Sequence, residues 1–484
     1  MRRSSFVSIM LVAALAVPFG AVPAAAATAG PRPITRTPAA PSDIVVTPAQ
    51  NVAAIVAAAP AGSTIRFRPG VYRMLELQAK DDMRFIGDPG AVLKGSKVLT
   101  GWVANGNRWY VGGQTQGSTA PTEGEEWGYC DPGHAACVFP EELFMGGNRL
   151  KRVATLAEVG TGKWFFDYAA DRIYVGDNPA GRLVETSVAR WAVHGQADRV
   201  RVEGLIMLQY ATPTRQGTVN PRVGRAGAPG VNWQVIGNTI LTSHGWAVKI
   251  EDGIVITDNT MNWNGQGGVG GVGNDIVVSH NTIRFSCSTG IRCFGFEGGA
   301  LKIDSDRFVL NYNIVENNWG HGLHPDIMST DGEIVGNVVR NNEGVGIHYE
   351  TSSDAVISGN TVTGNGFRKN GTREPGILVL NSFGVDVTGN TVSNNALGIL
   401  IRQDTRTSRG IVDDVVISGN TVTMGAGQRS GIGQLQYKQI GSVVFSGNTY
   451  IHSEASPFVL DGRVQTPTQW RALGFDTAGQ FSKV

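Results

Sequence analysis

The stretch VISGNTV at Val356 decides the fold, because the same phrase returns along the second half of the chain. Variants read VIGNTI at Val235, IVGNVV at Ile334, VTGNTV at Val387 and VISGNTV again at Val416. Alignment on the asparagine places one residue of each copy in a single column: Asn238, Asn259, Asn281, Asn313, Asn337, Asn360, Asn390, Asn420 and Asn448.

The spacing of this asparagine column predicts a parallel β-helix. Successive members are between 21 residues (Asn238 to Asn259) and 32 residues (Asn281 to Asn313) apart, which is a solenoid period. The phrase is rich in β-branched residues and has no helical periodicity. Each coil then buries its inward residues on its neighbours. Stacked asparagines can bond each other and the turn backbone, and Asn tolerates the left-handed conformation of such turns.

Composition agrees with a narrow core and many turns. Glycine makes up 65 of the 484 residues, about twice the usual share in globular proteins. Only 8% of the residues are aromatic. The formal net charge of +1 argues against a basic nucleic-acid-binding surface, so no nucleic-acid partner is expected.

The amino-terminal segments predict export. Arg2 and Arg3 precede an apolar run and a string of alanines, which is typical of a signal peptide over 1–27. A retained membrane anchor is the alternative, although the run is near the short end for a spanning helix. Residues 28–41, rich in Pro, Thr and Ala, are predicted to be a flexible leader. We therefore expect a secreted, extracellular protein with no membrane contact after cleavage.

The rest of the chain divides into four predicted segments. Residues 42–100 hold the first coils and a short capping helix, with Thr47 as N-cap and Pro48 at its first position. The repeat disappears over 101–190, where turn-punctuated strands predict a small β-rich inserted module. The β-helix occupies 191–450, and 451–484 form a carboxyl-terminal cap that begins its short helix near Thr466. The fold class is therefore all-β.

Four cysteines in a secreted chain predict disulfide bonds. Cys130 and Cys137 are seven residues apart, and Cys287 and Cys293 are six apart. Two local bridges are the simplest of the three pairings, and free buried thiols are the alternative.

A second aligned segment carries the candidate chemistry. Each coil has a strand that opens with a small residue and an aliphatic one, as in GLHPDI at Gly322 and GIHYET at Gly346. Alternate residues of a strand face opposite sides, so the residues between the inward aliphatic ones point outward. These outward pairs are Lys249 with Glu251, Lys302 with Asp304, His324 with Asp326, and His348 with Glu350.

The acids Asp304, Asp326 and Glu350 are thus predicted to stack in one column. Like charges at one strand spacing of ~4.8 Å repel each other, and such a cluster raises the pKa of at least one carboxyl, as an acid catalyst requires. A solvated face with incidental charges is the alternative. The glycine-rich coil near Gly270 is expected to leave space beside the column, and past Glu350 the column becomes apolar.

The signal peptide, helix cap and asparagine ladder resemble the secreted pectate-lyase-like superfamily of right-handed parallel β-helices. More narrowly, LFMGGNRLKR at Leu143 and KWFFDYAADRIYV at Lys163 are similar to segments of β-helical retaining glycosidases, such as β-xylosidases with an inserted β-sandwich. That resemblance implies an Asp nucleophile and a Glu acid/base, carried over to Asp326 and Glu350. His324 here and its counterpart on the next coil stand where the resemblance leads us to expect aromatic residues.

Carboxyl separation distinguishes two kinds of glycosidase. Retaining enzymes hold their carboxyls ~5–5.5 Å apart and inverting ones ~6.5–9.5 Å apart. Asp326 and Glu350, on neighbouring coils, fit the shorter distance. Asp304 and Glu350 lie two coils apart. Twice the strand spacing separates them by ~9.6 Å, so they form the alternative carboxyl pair, that of an inverting glycosidase.

Two other classes use the same residues. A lyase or uronate epimerase needs a base such as Lys302, His324 or His348, and a cation such as Arg402 or a divalent metal to neutralise the substrate carboxylate. The third class is a β-helix that binds glycans without catalysis. A hydrolase needs no cofactor, so we expect none and no metal, and we expect a monomer whose partner is a polysaccharide or oligosaccharide.

The remaining expectations concern residues around the column. Lys249, Glu251, Arg402 and Trp319 are predicted to bind substrate together with Lys302 and the two histidines of the column, the tryptophan by stacking on a sugar ring. His321, two residues after Trp319, is expected to be a turn residue.

Overall fold

The computed structural model of the protein describes residues 43–117, 130–134, 136–222, 228–293, 298–404, 411–435 and 442–484. The predicted signal peptide (1–27) and leader (28–41) lie outside this part of the chain, so export stays a prediction. None of the helices in the described ranges combines the length and the apolar character that crossing a membrane requires.

Three sheets of 13 strands each confirm the predicted β-helix, and their strands pair in parallel except for the last pair of sheet III, which is antiparallel. Sheet I consists of Asp43–Val46, Thr64–Phe67, Arg84–Gly87, Arg201–Glu203, Gln234–Ile236, Val255–Thr257, Ile276–Ser279, Asp306–Asn311, Thr330–Val335, Ser353–Ser358, Phe383–Thr388, Asp413–Ser418 and Val443–Ser446. Sheet II consists of Gly70–Arg73, Ala91–Lys94, Ile206–Leu208, Thr239–Leu241, Thr260–Asn262, Thr282–Arg284, Ile314–Glu316, Val338–Arg340, Thr361–Thr363, Thr391–Ser393, Thr421–Met424, Thr449–His452 and Gln480–Lys483. Sheet III consists of Leu77–Gln78, Val193–His194, Gly217–Asn220, Trp246–Ile250, Gly267–Val272, Gly299–Asp304, His321–Pro325, Ile347–Glu350, Pro375–Leu380, Leu397–Gln403, Ser430–Leu435, Phe458–Leu460 and Arg463–Gln465.

One continuous apolar core runs inside these sheets. Inward residues such as Leu301, Leu323 and Ile347 are completely buried, and in sheet III they pair with one another from strand to strand. Burying a side chain of this size contributes about 1.5–3 kcal/mol relative to exposure. The aliphatic positions of the repeat therefore hold the coils together, as the alternation predicts.

The asparagine column forms a hydrogen-bonded ladder at the turns between sheets I and II. The backbone N–H of Asn337 donates to Asn360 Oδ1 at 2.9 Å, and Asn337 Nδ2 donates to the carbonyl of Leu310 at 2.7 Å. Each buried amide in the column has its donors and acceptor met in this way, so no desolvation penalty of about 1–3 kcal/mol per group is incurred.

Two further ladders were not predicted from the sequence. A second asparagine ladder follows sheet II, and a serine ladder follows sheet III. In the first, the N–H of Asn318 donates to Asn342 Oδ1 at 3.1 Å; in the second, the N–H of Ser329 donates to Ser352 Oγ at 3.2 Å. Every turn type of the coil is therefore tied to its neighbours by side chains.

Both ends of the β-helix carry a short helix. Helix α1 spans Val52–Ala58, and Asn51 caps it by accepting the N–H of Ala54 at 3.1 Å. The prediction of Thr47 as the cap was wrong, because the N–H of Thr47 donates to Gln50 Oε1 at 2.7 Å and closes a turn before the helix.

Helix α2 spans Pro467–Ala472 with Thr466 as its N-cap, in agreement with the sequence. Its Trp470 is completely buried and stacks on Phe458 at 5.0 Å between ring centroids. This ring closes the far end of the core.

The inserted module consists of two small sheets and leaves the β-helix between sheets II and III of one coil. A four-stranded sheet contains Ser96–Val98, Leu143–Met145, Asn148–Arg149 and Val184–Ser187. A five-stranded sheet contains Val103–Asn105, Arg108–Val111, Lys151–Arg152, Lys163–Asp167 and Arg172–Val175. The short 3-10 helix Leu156–Glu158 lies between its strands. A separate apolar cluster around Trp164 and Phe166 gives the module its own core.

Both predicted disulfide bonds are present. Cys130 pairs with Cys137 and Cys287 with Cys293, with Cα–Cα distances of 5.5 and 5.7 Å. The two bridged loops contact each other, because Asp131 Oδ2 accepts the N–H of Cys293 at 2.8 Å. One bridged loop precedes the module's strand Leu143–Met145 and the other belongs to the β-helix, so this contact helps to dock the module.

A buried polar cluster also joins the module to the β-helix. Glu142 Oε1 lies 2.7 Å from His244 Nδ1, and Glu142 Oε2 lies 3.7 Å from Arg149 Nε. We call Glu142, Arg149 and His244 the seam cluster. Burial opposes the charge of Glu142, but Arg149 and then His244 outweigh it and lower the pKa of the carboxyl. The seam cluster therefore holds an ionised carboxylate between two elements far apart in sequence.

Candidate active site

The predicted column residues meet on the outer face of sheet III, on strands Gly299–Asp304, His321–Pro325 and Ile347–Glu350. Lys302 pairs with His324 in the strand register, and Leu323 pairs with Ile347 on the next coil. The residues that the sequence alignment placed in one outward column thus lie on neighbouring strands of sheet III. We call Lys302, His321, His324, Asp326, His348 and Glu350 the site cluster.

Asp326 contacts a cation on the preceding strand. Lys302 Nζ forms an ion pair with Asp326 Oδ2, and the side chains are 15% and 6% exposed. The other carboxylate oxygen, Oδ1, accepts the N–H of Ile327 at 2.8 Å. Each oxygen of this side chain thus has its own partner, a cation on one side and a backbone N–H on the other.

Glu350 lies beside two imidazoles instead. Its Oε2 atom is 3.0 Å from His324 Nε2 and 3.4 Å from His348 Nε2, and all three side chains are 1% exposed. The two rings stack with their centroids 4.3 Å apart. Burial, reinforced by the neighbouring His324, lowers the pKa of His348 to about 3, so this imidazole is neutral at ordinary pH.

His321 belongs to the same cluster, and its prediction as a turn residue was wrong. Its ring centroid lies 5.1 Å from that of His324 and 5.0 Å from that of His348. Its Nδ1 accepts the N–H of Val345 at 3.0 Å, and its Nε2 lies 3.4 Å from a guanidinium nitrogen of Arg368. Burial holds the pKa of His321 well below its usual value.

A bend at the start of the strand explains the error at His321. A Cβ added to Gly322 would lie 2.7 Å from Cγ1 of the core residue Val339, so Gly322 faces inward. Leu323 also faces inward. Two consecutive inward positions break the alternation and turn His321 to the outer face. A strict period of two could not place it there.

The two candidate catalytic carboxylates are close together. His324, Asp326 and Glu350 each offer a ligand atom, and these atoms lie within 4.8 Å of one another. This separation matches the ~5–5.5 Å of retaining glycosidases better than the ~6.5–9.5 Å of inverting ones. Asp304 lies half-buried at the end of its strand, opposite Val272, and is outside this group of three.

Lys249 and Glu251 lie on an earlier coil. Lys249 pairs with Gly270, which in turn pairs with Lys302, so Lys249 is two strands from the site cluster. Burial lowers the pKa of Lys249. Glu251 is ion-paired with Arg222 at 2.8 Å, and burial raises its pKa.

The glycine-rich coil is not open, contrary to the prediction that it leaves space. The indole of Trp246 covers it, because a Cβ added to Gly267 would lie 1.9 Å from Trp246 Cζ3 and one added to Gly270 would lie 2.3 Å from Cε2. The glycines are therefore required by the close approach of a ring from the preceding coil.

Trp319 and Arg402 lie on opposite sides of the site cluster along the chain. Trp319 packs against Trp263 at 5.6 Å in the turn before strand His321–Pro325 and is half-buried. Arg402 pairs with Leu380, which pairs with Glu350, so Arg402 is two strands beyond Glu350 on sheet III.

Two groups of residues have the donor atoms for a metal ion. One is His321, His324 and His348, and the other is His324, Asp326 and Glu350; in both, the donor atoms lie within 4.8 Å of one another. Imidazole suits zinc, copper, iron and nickel, while a mixed carboxylate set also accepts harder cations. A metal bound to the second group would occupy the carboxylate oxygens that acid/base catalysis uses.

Comparison with known proteins supports the architecture. Residues 227–373 match the family model described as a right handed beta helix region, so the chain contains such a region. No curated protein sequence matches the chain.

Solved structures share the fold at low sequence identity. A structure of XylC in complex with xylose is 14% identical, aligns over 91% of this chain and 86% of its own, and has a TM-score of 0.66. The A-module of the Azotobacter vinelandii mannuronan C-5 epimerase AlgE4 is 13% identical, aligns over 86% of this chain and 92% of its own, and has a TM-score of 0.50. The protein is thus similar in fold to both, as a right-handed parallel β-helix.

Proposed function

We propose that the protein is a carbohydrate-active enzyme that hydrolyses glycosidic bonds with retention of anomeric configuration, Asp326 being the nucleophile and Glu350 the acid/base. The observation that carries this proposal is the separation of two buried carboxylates by no more than 4.8 Å between oxygens on neighbouring strands. A retaining mechanism needs that short separation because the nucleophile attacks the sugar directly, without an intervening water.

The surroundings of Asp326 fit the nucleophile. It is ion-paired with Lys302, and a carboxylate can attack the anomeric carbon to form a covalent glycosyl ester. The N–H of Ile327 holds the second oxygen and so orients the attacking one. Lys302 is then a positioning and electrostatic residue in this proposal.

The surroundings of Glu350 fit the acid/base. It is buried beside the neutral imidazole of His348 and within hydrogen-bonding distance of His324. A carboxyl buried beside a neutral imidazole can hold a proton and donate it to the leaving oxygen. After departure of the leaving group, the carboxylate can take a proton from the water that cleaves the glycosyl ester.

Several features agree with a saccharide substrate outside the cell. The comparison structure of XylC contains xylose, and the AlgE4 module is named for an enzyme acting on mannuronan. Two disulfide bonds suit an oxidising compartment, and the predicted signal peptide makes secretion part of this proposal. The substrate class is a polysaccharide or its oligosaccharides.

A lyase or epimerase is the second candidate, and the neutral state of His348 favours it. A neutral imidazole can remove a proton from C5 of a uronic acid, provided that a cation neutralises the adjacent carboxylate. An increase in ultraviolet absorbance from unsaturated products would support a lyase. A change in the C5 proton signals of an alginate substrate would support an epimerase.

The decisive experiment combines a substrate screen with product stereochemistry. Purified mature chain is incubated with xylan, arabinan, pectin, alginate and their oligosaccharides, and the first-formed anomer is identified by proton NMR. We expect a retained anomer, and turnover that is insensitive to EDTA. An inverted product would exclude Asp326 as nucleophile and favour Asp304 with Glu350.

Site variants assign the two roles. Asp326→Asn should abolish turnover of every glycoside, whereas Glu350→Ala should retain turnover of an aryl glycoside whose leaving group needs no proton. Added azide should then accelerate the Glu350→Ala variant, because this anion attacks the glycosyl ester directly, releases the Asp326 carboxylate and needs no general base. Glu333→Gln on the exposed face of sheet I is the matched control and should behave as the parent chain. Retained activity in Asp326→Asn would refute the assignment.

A further inference from the structure

A cationic cavity lies on the same face of sheet III, beyond Glu350. Its volume is about 540 Å³, and its floor contains the apolar side chains of Leu397, Leu400 and Val459. Three arginines contribute to its wall: Arg373, Arg402 and Arg429. Against these three positive charges, Asp461 is the acidic residue in the described lining.

The three guanidinium groups have no carboxylate partner in the described ranges. Arg373 lies over the ring of Phe367 at 4.9 Å. Arg402 packs along Gly433, where an added Cβ would lie 3.2 Å from its Cγ. The Nε atom of Arg429 is buried and has no hydrogen-bond partner within the described part of the chain. A buried N–H of a cation left without an acceptor is costly, so this atom points to an acceptor supplied by a ligand.

The cavity is placed to hold a sugar unit next to the reacting one. Glu350 pairs with Leu380 and Leu380 with Arg402, so the backbone at Arg402 is two strands, ~9.6 Å, from that at Glu350. Apolar side chains can contact a sugar face while guanidinium groups bind a planar anion in a bidentate way. A chain bound along sheet III would thus pass from the site cluster to the arginines.

We propose that this cavity is a subsite for a sugar unit that carries a carboxylate, such as a uronic acid, in the substrate of the site cluster. This inference rests on the proposed function for the identity of that substrate as a saccharide. The subsite gives the proposed enzyme a preference for acidic over neutral glycans. The recognised group is the carboxylate, held by Arg402 and Arg429, with Arg373 at the exposed rim.

The test measures binding in a Glu350→Gln variant of the mature chain, so that hydrolysis does not interfere. Calorimetry compares trigalacturonate, trimannuronate and a glucuronate-bearing xylotriose, each with the same oligosaccharide after reduction of its carboxyl to an alcohol. We expect at least one acid to bind about tenfold or more tightly than its reduced partner, as charge-assisted hydrogen bonds imply. That preference should shrink as salt is added.

Variants of the cavity complete the test. Arg402→Gln and Arg429→Gln should each reduce the acid preference, and the double variant should abolish it, while Arg84→Gln on the exposed face of sheet I should leave it unchanged. Equal affinity within every acid and neutral pair, or a preference that survives the double variant, would overturn the proposal. Because the assay is binding, absence of hydrolysis in the parent chain would refute the proposed function alone and not this subsite.

Discussion

The seam cluster and the site cluster each contain a buried glutamate against a histidine, yet their surroundings differ. Glu142 lies 2.7 Å from His244, and Glu350 lies 3.0 Å from His324. Glu142 has an arginine on its other side. Glu350 has a second imidazole there, and the carboxylate of Asp326 within 4.8 Å.

This difference separates an anchor from a candidate catalyst. A carboxylate held by a cation stays ionised and contributes a fixed contact, which suits the joint between the module and the β-helix. A buried carboxyl beside the neutral imidazole of His348 and near a second carboxylate can exchange a proton with little reorganisation. The same pair of residue types therefore serves different purposes according to the charge beside it.

The largest expected effect is on catalysis. Glu350→Gln should reduce kcat on natural glycosides by ~10³-fold, within the range for loss of a general acid. Glu142→Gln makes the same chemical change in the seam cluster and should change kcat much less. Steady-state kinetics on the substrate found by the screen would measure both. Equal losses in the two variants would remove the distinction between anchor and catalyst.

The second-largest expected effect is on stability. Here the Glu142 variant should lose more than the Glu350 variant, the reverse of the effect on kcat. Glu142→Gln leaves Arg149 buried without its counter-charge, which should reduce the free energy of unfolding by about 3–5 kcal/mol. Glu350→Gln leaves no cation unpaired and should cost less. Urea unfolding of the two variants would measure this. A more stable Glu142→Gln protein would show that the seam cluster does not anchor the module.

The third effect is a pH dependence of stability. The pKa of His348 is about 3 in the folded protein, below the unfolded value of ~6.5. The unfolded chain therefore takes up a proton first as the pH falls, and stability present above pH ~6.5 is lost progressively toward pH 3. From pH 7 to pH 5 this residue alone should cost about 2 kcal/mol.

Two histidine variants test that dependence. His348→Gln should reduce the loss of unfolding free energy between pH 7 and pH 5, because the group that titrates has been removed. His280→Gln changes an exposed histidine in the turn after the sheet I strand Ile276–Ser279 and should leave the loss as in the parent chain. An unchanged pH dependence in His348→Gln would show that this imidazole is not held neutral by burial.

The smallest effect concerns Lys302. Lys302→Met removes the cation that is ion-paired with Asp326, so the negative charge that returns to the nucleophile when water cleaves the glycosyl ester is less well stabilised. We expect about a tenfold loss of kcat with a much smaller change of KM. Lys163→Met on the exposed face of the module is the control and should leave both constants unchanged. An unchanged kcat in Lys302→Met, or a loss confined to KM, would show that Lys302 does not stabilise the charge of Asp326.

The sequence alone could predict much of the site because the fold is a repeat. Residues at the same position of successive phrases lie one above another, so aligning Asn313, Asn337 and Asn360 was enough to bring Asp326 and Glu350 onto neighbouring strands. The asparagine ladder and both disulfide bonds follow from local spacing in the same way. A short repeat is enough to predict these features, because each coil repeats the geometry of the preceding one.

Other features depend on contacts that no period encodes. His321 reaches the site cluster because the strand bends at Gly322, and Trp246 fills the glycine-rich coil because its ring folds onto the following strand. Glu142 and His244, 102 residues apart in the chain, meet only when the module docks.

The amino-acid sequence by itself thus determined the coil, its inward face and the register of the two candidate catalytic carboxylates. Which groups surround those carboxylates was decided by the tertiary structure. The reason is physical. A repeat sets the position of a residue along the axis of the solenoid, but the charges around that residue belong to side chains of strand bends, neighbouring coils and an inserted module.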